Sequence, residues 1–254
     1  MLDIGVEAFG IATLPYTAYL PPSELQEITV GPVRCERESR GIPVEHRMVV
    51  AGNDRVDLAG EPDVAALALA ALGAPARAET LFLVRGALRD ALVTGLAGLV
   101  HAAGWVGDDL GITHLEELGG TVAFQLVDWA MPAELGATVL ICDEPLVADA
   151  RAGGALFAAV SLRVRPGDGP LRILECGEGE PGGAAVNGVA HRFGGTGPCD
   201  GWLALHEALS AGRIGDGERV LIQVSTPLHQ GWLLLQAAAV AQLRLATGAV
   251  AEAA

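Results

Sequence analysis

Hydrophobic residues occur along the chain in short runs, some with the composition of buried strands and others with that of helices. Continuous apolar runs rich in β-branched residues predict strands, and runs of Ala and Leu predict helices. The predicted strands lie within residues 1–20 and at 80–86, 137–145, 155–164, 171–179, 219–225 and near 231–236. The predicted helices cover 63–74, 89–104, 121–130 and 200–211. This alternation of strands and helices predicts an α/β protein.

The order of these runs also predicts how the sheet is built. Strands 155–164 and 171–179 have no helix between them, only the turn sequence PGDG. We therefore expect them to form a hairpin within a mixed sheet. The Gly-rich stretch 180–198 is expected to be a loose connection. The pattern of residues 111–120 is ambiguous, and so is the end of the chain, where a strand and an Ala-rich helical tail both fit.

Composition narrows the classes of partner. The chain has 254 residues, 51% of them hydrophobic, which is enough for one large domain or two fused halves. Its net charge is −15 and all 16 basic residues are arginine, so we expect no nucleic-acid partner and no membrane partner. No apolar leader or membrane span is visible, and four scattered cysteines suit reduced thiols in the cytoplasm. We expect no cofactor and no metal, because no Cys or His pair has ligand spacing.

Several segments, in order, resemble the thiolase superfamily and its ketosynthase III branch, which joins acyl units carried on coenzyme A or a carrier protein. The segment RGIPVEHR (40–47) resembles the TGI-x-x-RR segment of those enzymes, and TVLICDEP (138–145) resembles their VLVV-x-x-E strand. The strongest likeness is that of FGGTGPCDGWLALHEALSAGRIGDGERVLIQ to their GNTSAAS loop with its helix and strand. The resemblance implies a thiolase-like layered αβαβα fold with mixed sheets. Its N-terminal half would be residues 1–179, and residues 180–254 would form a shortened second half packed in the same globular unit.

The catalytic positions of that family are degenerate here. The family uses a Cys–His–Asn triad, and its cysteine position falls on Gly120 or Thr121. The asparagine of the GNT motif is replaced by Gly195, the HQAN motif is absent, and the chain between Glu180 and Gly195 is too short to carry it. The resemblance therefore implies no catalytic residue of the usual kind.

A relocated nucleophile is the alternative. Cys199 precedes the helix 200–211, whose N-terminus would favour a thiolate, with His191, His206 or His229 as base. The competing interpretation is a small residue that fills a tight junction between loop and helix. Cys142 and Cys176 lie in apolar strands and are expected to be buried and inert.

The resemblance also implies an interface. In the thiolase fold, the strand before the nucleophile turn pairs with its twin across a dimer axis, although an ordinary surface loop is the alternative here. The segment expected at this place is Gly111, Ile112, Thr113, His114, Leu115, Glu116, Glu117 and Leu118.

We therefore expect a non-catalytic ketosynthase III-like subunit that forms a heterodimer with a full-length, Cys-bearing ketosynthase or acyltransferase. The shortened chain without its cysteine resembles the small subunit of the alkylquinolone-signal synthase heterodimer. The partner would handle acyl-CoA or acyl-carrier protein in polyketide, fatty-acyl or quinolone-type biosynthesis. Two alternatives stay open. One is a stand-alone acyltransferase or decarboxylase that uses Thr121, Cys199 or His191, and the other is a homodimeric acyl-CoA-binding module.

Overall fold

The predicted strands and helices are present in the computed structural model, which describes residues 2–17, 19–24, 35–36, 38–39, 41–50, 63–86 and 95–248. The strands are β1 (Ile4–Tyr16), β2 (Tyr19–Leu20), β3 (Arg47–Val50), β4 (Thr80–Val84), β5 (Asp109–Ile112), β6 (Ala137–Asp143), β7 (Val147–Asp149), β8 (Ala155–Pro166), β9 (Leu171–Glu178), β10 (Val189–Gly195), β11 (Arg219–Ser225), β12 (Gln230–Ala237) and β13 (Arg244–Gly248). The helices include α1 (Val64–Leu72), α2 (Gly95–Ala103), α3 (Ala123–Ala130), α4 (Gly183–Val186) and α5 (Asp200–Ser210).

Ten of the described strands form one mixed sheet. Its order is β10-β11-β12-β9-β1-β8-β6-β4-β5, and β13 also pairs with β1. The pairs β4–β5, β4–β6, β10–β11 and β1–β13 are parallel, and the other pairs are antiparallel. β2, β3 and β7 form a separate small sheet.

The buried side chains divide the protein into five layers. A central apolar cluster holds α3 and α5 between the two halves of the large sheet, with Phe124 and Trp202 fully buried. A second cluster packs α1 and α2 on the outer face of the first half. A third, smaller cluster places α4 on the outer face of the second half. Successive residues of β6 face different clusters because strand side chains alternate. The layers have the αβαβα arrangement that the resemblance implies.

The two outer layers differ in their described helices. The part of the large sheet that contains β10, β11, β12 and β9 has the four-residue helix α4 on its outer face. The first half has two nine-residue helices, α1 and α2, on its outer face. Within the part of the chain that is described, no helix is long and apolar enough to cross a bilayer.

The predicted helix 63–74 shows why local signals worked well there. The Asp63 side chain accepts a hydrogen bond of 2.9 Å from the backbone N–H of Ala65 and so caps the start of α1. Gly73 ends the helix with a φ of 68°, which suits glycine best. The expected helix 89–104 is described from Gly95 onward, as α2, and its first residues lie outside the described ranges.

Three expectations about the strands were wrong or incomplete. β8 and β9 do not form a hairpin, because β1 lies between them and Ile4 pairs with both Pro166 and Ile173. The stretch 180–198 is not a loose connection, because it contains α4 and β10. The end of the chain forms β12, a short 3-10 turn and the strand β13 as far as residue 248, where a helical tail was one of the alternatives.

Candidate functional site

A cleft of about 440 Å³ opens at the carboxyl ends of β6 and β11. Its walls come from the end of β6, the 3-10 segment Glu116–Gly120, the loop 196–198, the first residue of α5 and the turn after β11. The carboxyl ends of neighbouring strands commonly build ligand sites in α/β proteins.

Neither residue at the family's nucleophile position lines this cleft. The carbonyl oxygen of Pro198 occupies the space that a Cβ atom on Gly120 would need, so a cysteine does not fit there. The carbonyl oxygen of Gly120 accepts a hydrogen bond of 2.7 Å from the indole of Trp202. The Thr121 side chain is 1% exposed and donates its hydroxyl to the carbonyl oxygen of Leu118 at 3.2 Å. These contacts leave no accessible nucleophile at this turn.

The space next to Gly195 is also filled. A Cβ atom on Gly195 would overlap the side chain of Asp200, the first residue of α5. The Asp200 carboxylate accepts hydrogen bonds from the backbone N–H groups of Thr196 at 2.8 Å and Gly197 at 2.9 Å. An asparagine side chain at position 195 would have to displace this carboxylate. The Asp200 carboxylate therefore fixes the loop at residues 196 and 197 by accepting these two hydrogen bonds.

The thiol of Cys199 is buried away from the cleft. It is 0% exposed, and its Sγ atom lies 3.4 Å from the carbonyl oxygen of Ile141 and 3.8 Å from that of Ala158. Burial, followed by the negative charge of Asp143, raises the pKa of the Cys199 thiol well above its usual range. The structure thus keeps this sulfur protonated and packed, as the tight-junction interpretation expects.

The two cysteines that lie on strands, Cys142 and Cys176, have the same character as Cys199. Cys142 borders the cleft but is only 4% exposed, and burial raises the pKa of its thiol. Burial raises the pKa of the Cys176 thiol to about 12. A thiol with a raised pKa carries little thiolate at neutral pH and is a weak nucleophile.

The three candidate bases lie apart from one another. His191 lies on the strand β10, and its Nε2 atom is 2.9 Å from the Oε2 atom of Glu218. His206 is 5% exposed and packs edge-on against Phe9. Burial lowers the pKa of His206, although a hydrogen bond to the backbone of Ala246 opposes that effect.

His229 takes part in a network that sequence reasoning missed. Its Nδ1 atom lies 3.0 Å from the Oε1 atom of Glu117, and the Thr226 hydroxyl donates to the same oxygen at 2.9 Å. The Glu117 carboxylate is 6% exposed and belongs to the cleft wall. Only the sequence STPLH, a turn signal after a buried strand, hints at this contact. Glu117 had been considered only as part of an interface strand.

A second unforeseen network lies behind the cleft. Arg85 follows β4 and binds Glu144 through two hydrogen bonds of 2.5 Å and 2.6 Å. Its Nη1 atom also lies 3.4 Å from Asp63, the cap of α1. Burial lowers the pKa of Arg85, but the neighbouring Glu144 more than compensates and raises it overall. This arginine ties the ends of β4 and β6 to the start of α1.

The described wall of the cleft is acidic. Its carboxylates are Glu38, Glu116, Glu117, Asp143 and Asp200, and the described lining residues include no arginine or histidine. Among the described residues, no group of three or more potential metal ligands is present.

The predicted interface segment is only partly a strand. β5 ends at Ile112 and forms the edge of the large sheet, where it pairs with β4 alone among the described strands. Thr113, His114 and Leu115 then turn the chain, with a φ of 68° at His114. Glu116, Glu117 and Leu118 belong to the 3-10 segment below the cleft. The expectation of a continuous strand over Gly111–Leu118 was therefore wrong beyond Ile112, because the chain turns back toward the cleft.

Comparison with solved structures identifies the fold. The chain is similar to the acyltransferase ChlB3, with a TM-score of 0.58, 16% identity and coverage of 94% of this chain and 99% of that chain. It is similar to 3-oxoacyl-(acyl carrier protein) synthase III from Pseudomonas aeruginosa, with a TM-score of 0.52, 14% identity and coverage of 93% and 98%. It is also similar to PksG, an HMG-CoA synthase from Bacillus subtilis, with a TM-score of 0.58, 12% identity and coverage of 95% and 82%. No protein-family model and no curated protein matches the sequence. Identities this low show the fold alone, which is the thiolase-like fold of ketosynthase III enzymes.

Proposed function

We propose that this chain is a ketosynthase III-like subunit without an acyl-transfer site of its own, which pairs with a Cys-bearing ketosynthase or acyltransferase of the same fold. One observation carries the proposal: neither position on which the family's cysteine falls is open, because the Pro198 carbonyl oxygen occupies the Cβ space of Gly120 and the Thr121 side chain is buried against the Leu118 carbonyl oxygen. A substituted nucleophile would leave room for a side chain at this turn. Here a backbone oxygen atom occupies that room at Gly120.

The side chains that could replace the family's cysteine as a nucleophile support the same conclusion. Cys142 and Cys199 are buried with raised pKa values, and Thr121 donates its hydroxyl to a backbone carbonyl. None of these three side chains has a histidine as a described hydrogen-bond partner, so the base that activates a serine-type or cysteine-type nucleophile is missing. This arrangement speaks against a stand-alone acyltransferase or decarboxylase that uses Thr121, Cys199 or His191.

Two surfaces support pairing with another chain. β5 leaves one edge of the sheet without a described partner strand, and its Leu110 is 40% exposed. On α3, Leu126 is 45% exposed and Trp129 is 84% exposed, one turn apart. Open strand edges are usually covered, and exposed tryptophans are typical of the centre of interfaces. We place the partner on the β5 edge, as the dimer axis of the resembling family does.

The chemistry of the pair belongs to the partner. Its cysteine thiolate would attack the thioester carbonyl of an acyl-CoA or acyl-carrier protein, release that carrier's thiol and form an acyl-enzyme. This chain would cover the partner's sheet edge and form a wall of its acyl pocket. A homodimeric acyl-CoA-binding module is the alternative, and it would bind acyl-CoA without a partner of a different sequence.

Co-expression with a Cys-bearing ketosynthase III-like protein encoded nearby tests the proposal. We expect a one-to-one complex by native mass spectrometry and, after incubation with acyl-CoA, an acyl adduct on the partner's cysteine alone. Leu110→Lys should weaken the complex because it places a charge on the sheet edge. Val44→Lys is the matched control, since Val44 is 71% exposed and lies on a 3-10 turn away from β5.

Other outcomes would contradict the proposal. A stable homodimer that does not bind the ketosynthase would exclude the heterodimer, and an acyl adduct on this chain would exclude its non-catalytic role. A complex that is equally stable with Leu110→Lys and with Val44→Lys would show that β5 is not the interface.

A further inference from the structure

A pocket of about 240 Å³ lies at the opposite ends of the β4 and β6 strands from the cleft. It is lined by the loop before β4, the loop before β6, and the strands β1, β8 and β13. Four arginines contribute to its wall, namely Arg77, Arg163, Arg165 and Arg244, together with Glu7 and Glu79. The chain has 16 basic residues and a net charge of −15, so four arginines around one small pocket are a marked concentration of positive charge.

Two of these arginines are neutralised and two are not. Arg163 lies 3.1 Å from Glu79, and Arg165 lies 2.8 Å from Glu7. Neither Arg77 nor Arg244 has a hydrogen-bond or ion-pair partner among the described residues. The pocket therefore keeps two positive charges that an anion can neutralise.

The wall that carries these charges is anchored to the core. The buried Glu79 carboxylate accepts hydrogen bonds from Thr138 at 2.5 Å and from Arg163 at 3.1 Å. Its backbone carbonyl accepts a hydrogen bond of 3.1 Å from the indole of Trp105. Arg163 also donates to the carbonyl oxygen of Gly73 at 3.0 Å. These bonds fix the loop that presents Arg77, so the pocket is preorganised for a ligand.

An apolar groove of about 650 Å³ continues from this pocket, and the two cavities share Ala76 and Arg77. The groove runs between α1 and α2. Its walls include Leu69, Ala70, Leu99, Ala102, Trp105 and Val106. Small alanine side chains on both helices leave the space open, and 650 Å³ is within the range of about 300–1,000 Å³ found for small-molecule sites.

We propose that the pocket and the groove together form one binding site for a long-chain carboxylic acid. The carboxylate would bind Arg77 and Arg244, because guanidinium groups pair with carboxylates through two parallel hydrogen bonds. The hydrocarbon chain would lie in the groove and remove apolar surface from water. A ligand with both a charged and an apolar part accounts for the two adjoining cavities. A simple anion would need only the arginine-lined pocket, and an apolar molecule would need only the groove. The site is separate from the cleft and does not depend on the proposed pairing with a ketosynthase.

Binding of sodium dodecanoate to the full chain, below the concentration at which it aggregates, tests this site by calorimetry and tryptophan fluorescence. We expect one saturable site per chain and a change in the emission of Trp105, which lines the groove. The double variant Arg77→Gln/Arg244→Gln should bind dodecanoate at least about tenfold more weakly than the parent chain. Arg192→Gln is the matched control, because Arg192 is exposed on β10 and also has no described partner.

The hydrocarbon chain and the carboxylate of the ligand are tested separately. Dodecanol lacks the charge and hexanoate lacks the length, so each should bind about tenfold more weakly than dodecanoate or not measurably. Ala102→Phe should fill the groove and reduce binding of dodecanoate. Ala97→Phe, on an exposed position of the same helix outside the groove, should not.

Several outcomes would overturn the proposal. They are the absence of saturable dodecanoate binding, equal binding by the double variant and the parent chain, equal loss in Arg192→Gln, or equal affinity for dodecanol. Circular dichroism checks that the variants are folded, and the exposed positions of Arg77 and Arg244 make unfolding unexpected.

Discussion

The carbonyl oxygen of Pro198 lies where a Cβ atom on Gly120 would have to be. Two segments that are far apart in the sequence thus meet without space for any side chain between them. The Trp202 indole, which donates to the Gly120 carbonyl at 2.7 Å, holds the contact from the core side. The closed turn follows from this pair of residues, and it determines what a substitution there can do.

Gly120→Cys should not restore catalysis. The new Cβ atom would overlap the Pro198 carbonyl, and overpacking of this kind destabilises proteins by about 1–3 kcal/mol. Thermal unfolding should therefore occur several degrees lower, at about 2–4 °C per kcal/mol for a chain of this size. Gly98→Cys is the matched control, because Gly98 lies on α2 with no atom within 4 Å of its Cβ position. Equal stability of the two variants, or acyl transfer by Gly120→Cys, would contradict the closed turn.

Three buried thiols, two on strands and one at the start of α5, should react slowly. Cys142, Cys176 and Cys199 are each less than 9% exposed, and burial raises the pKa of each thiol. We expect iodoacetamide to modify these three at least about tenfold more slowly in the native protein than in denaturant, because the thiolate is the reacting form. Peptide mapping by mass spectrometry measures the rates, and the exposed thiol of Gly98→Cys serves as the fast-reacting reference. A native Cys199 that reacts as fast as this reference would revive the relocated-nucleophile hypothesis.

His206 should make stability depend on pH. Burial lowers the pKa of His206 in the folded chain below its ordinary value of about 6.5. As the pH falls, His206 therefore binds a proton in the unfolded chain before it does so in the folded chain. The stabilisation from neutral, buried His206 is complete above pH about 6.5 and is lost as the pH falls from there through the folded pKa. His206→Leu should flatten the decline in the free energy of unfolding between pH about 6.5 and the lower folded pKa. His101→Leu, at an exposed position of α2, should leave the decline unchanged, and an equal effect of both variants would contradict this assignment.

The Thr226 hydroxyl should contribute more to the free energy of unfolding than the Thr226 methyl group does. It donates to Glu117 at 2.9 Å and accepts from the backbone N–H of His229 at 3.0 Å, so it links the cleft wall to the turn after β11. Thr226→Val should lower the free energy of unfolding by about 1–3 kcal/mol, because a buried carboxylate loses a donor. Thr226→Ser keeps the hydroxyl and should recover most of the loss. Denaturant titration compares the two, and an equal loss in both would assign the effect to packing instead.

Local signals in the sequence were enough for most of the elements. The Asp63 cap, the Ala and Leu run and Gly73 predict α1 because each acts within a few residues of the others. β6 and β11 are continuous β-branched runs and were equally clear. β10 was missed because its sequence, VAHRFGG, mixes glycine with alternating exposed residues at the edge of the sheet. The insertion of β1 between β8 and β9 depends on pairing across about 160 residues, which no local pattern contains.

The sequence predicted which catalytic residues the candidate site lacks, but it did not predict the contacts that the site contains. The absence of a cysteine at Gly120 and Thr121 is visible in the sequence, but the Pro198 carbonyl and the Asp200 carboxylate that fill the space depend on tertiary packing. The contact of His229 with Glu117 joins residues 112 positions apart, so spacing rules could not find it. The cluster of four arginines joins residues from Arg77 to Arg244 for the same reason.

The placement of β1 also determines the order in which the protein can be completed. Its partners are β8, β9 and β13, and the last of these ends at Gly248. On the ribosome, β1 therefore emerges before all three of its partner strands and gains the last of them only when β13 has emerged. Until β13 leaves the exit tunnel, part of one side of this 13-residue apolar strand is open to unintended pairing. A chain of this topology folds late in synthesis and slowly, because its closing contacts span almost the whole sequence.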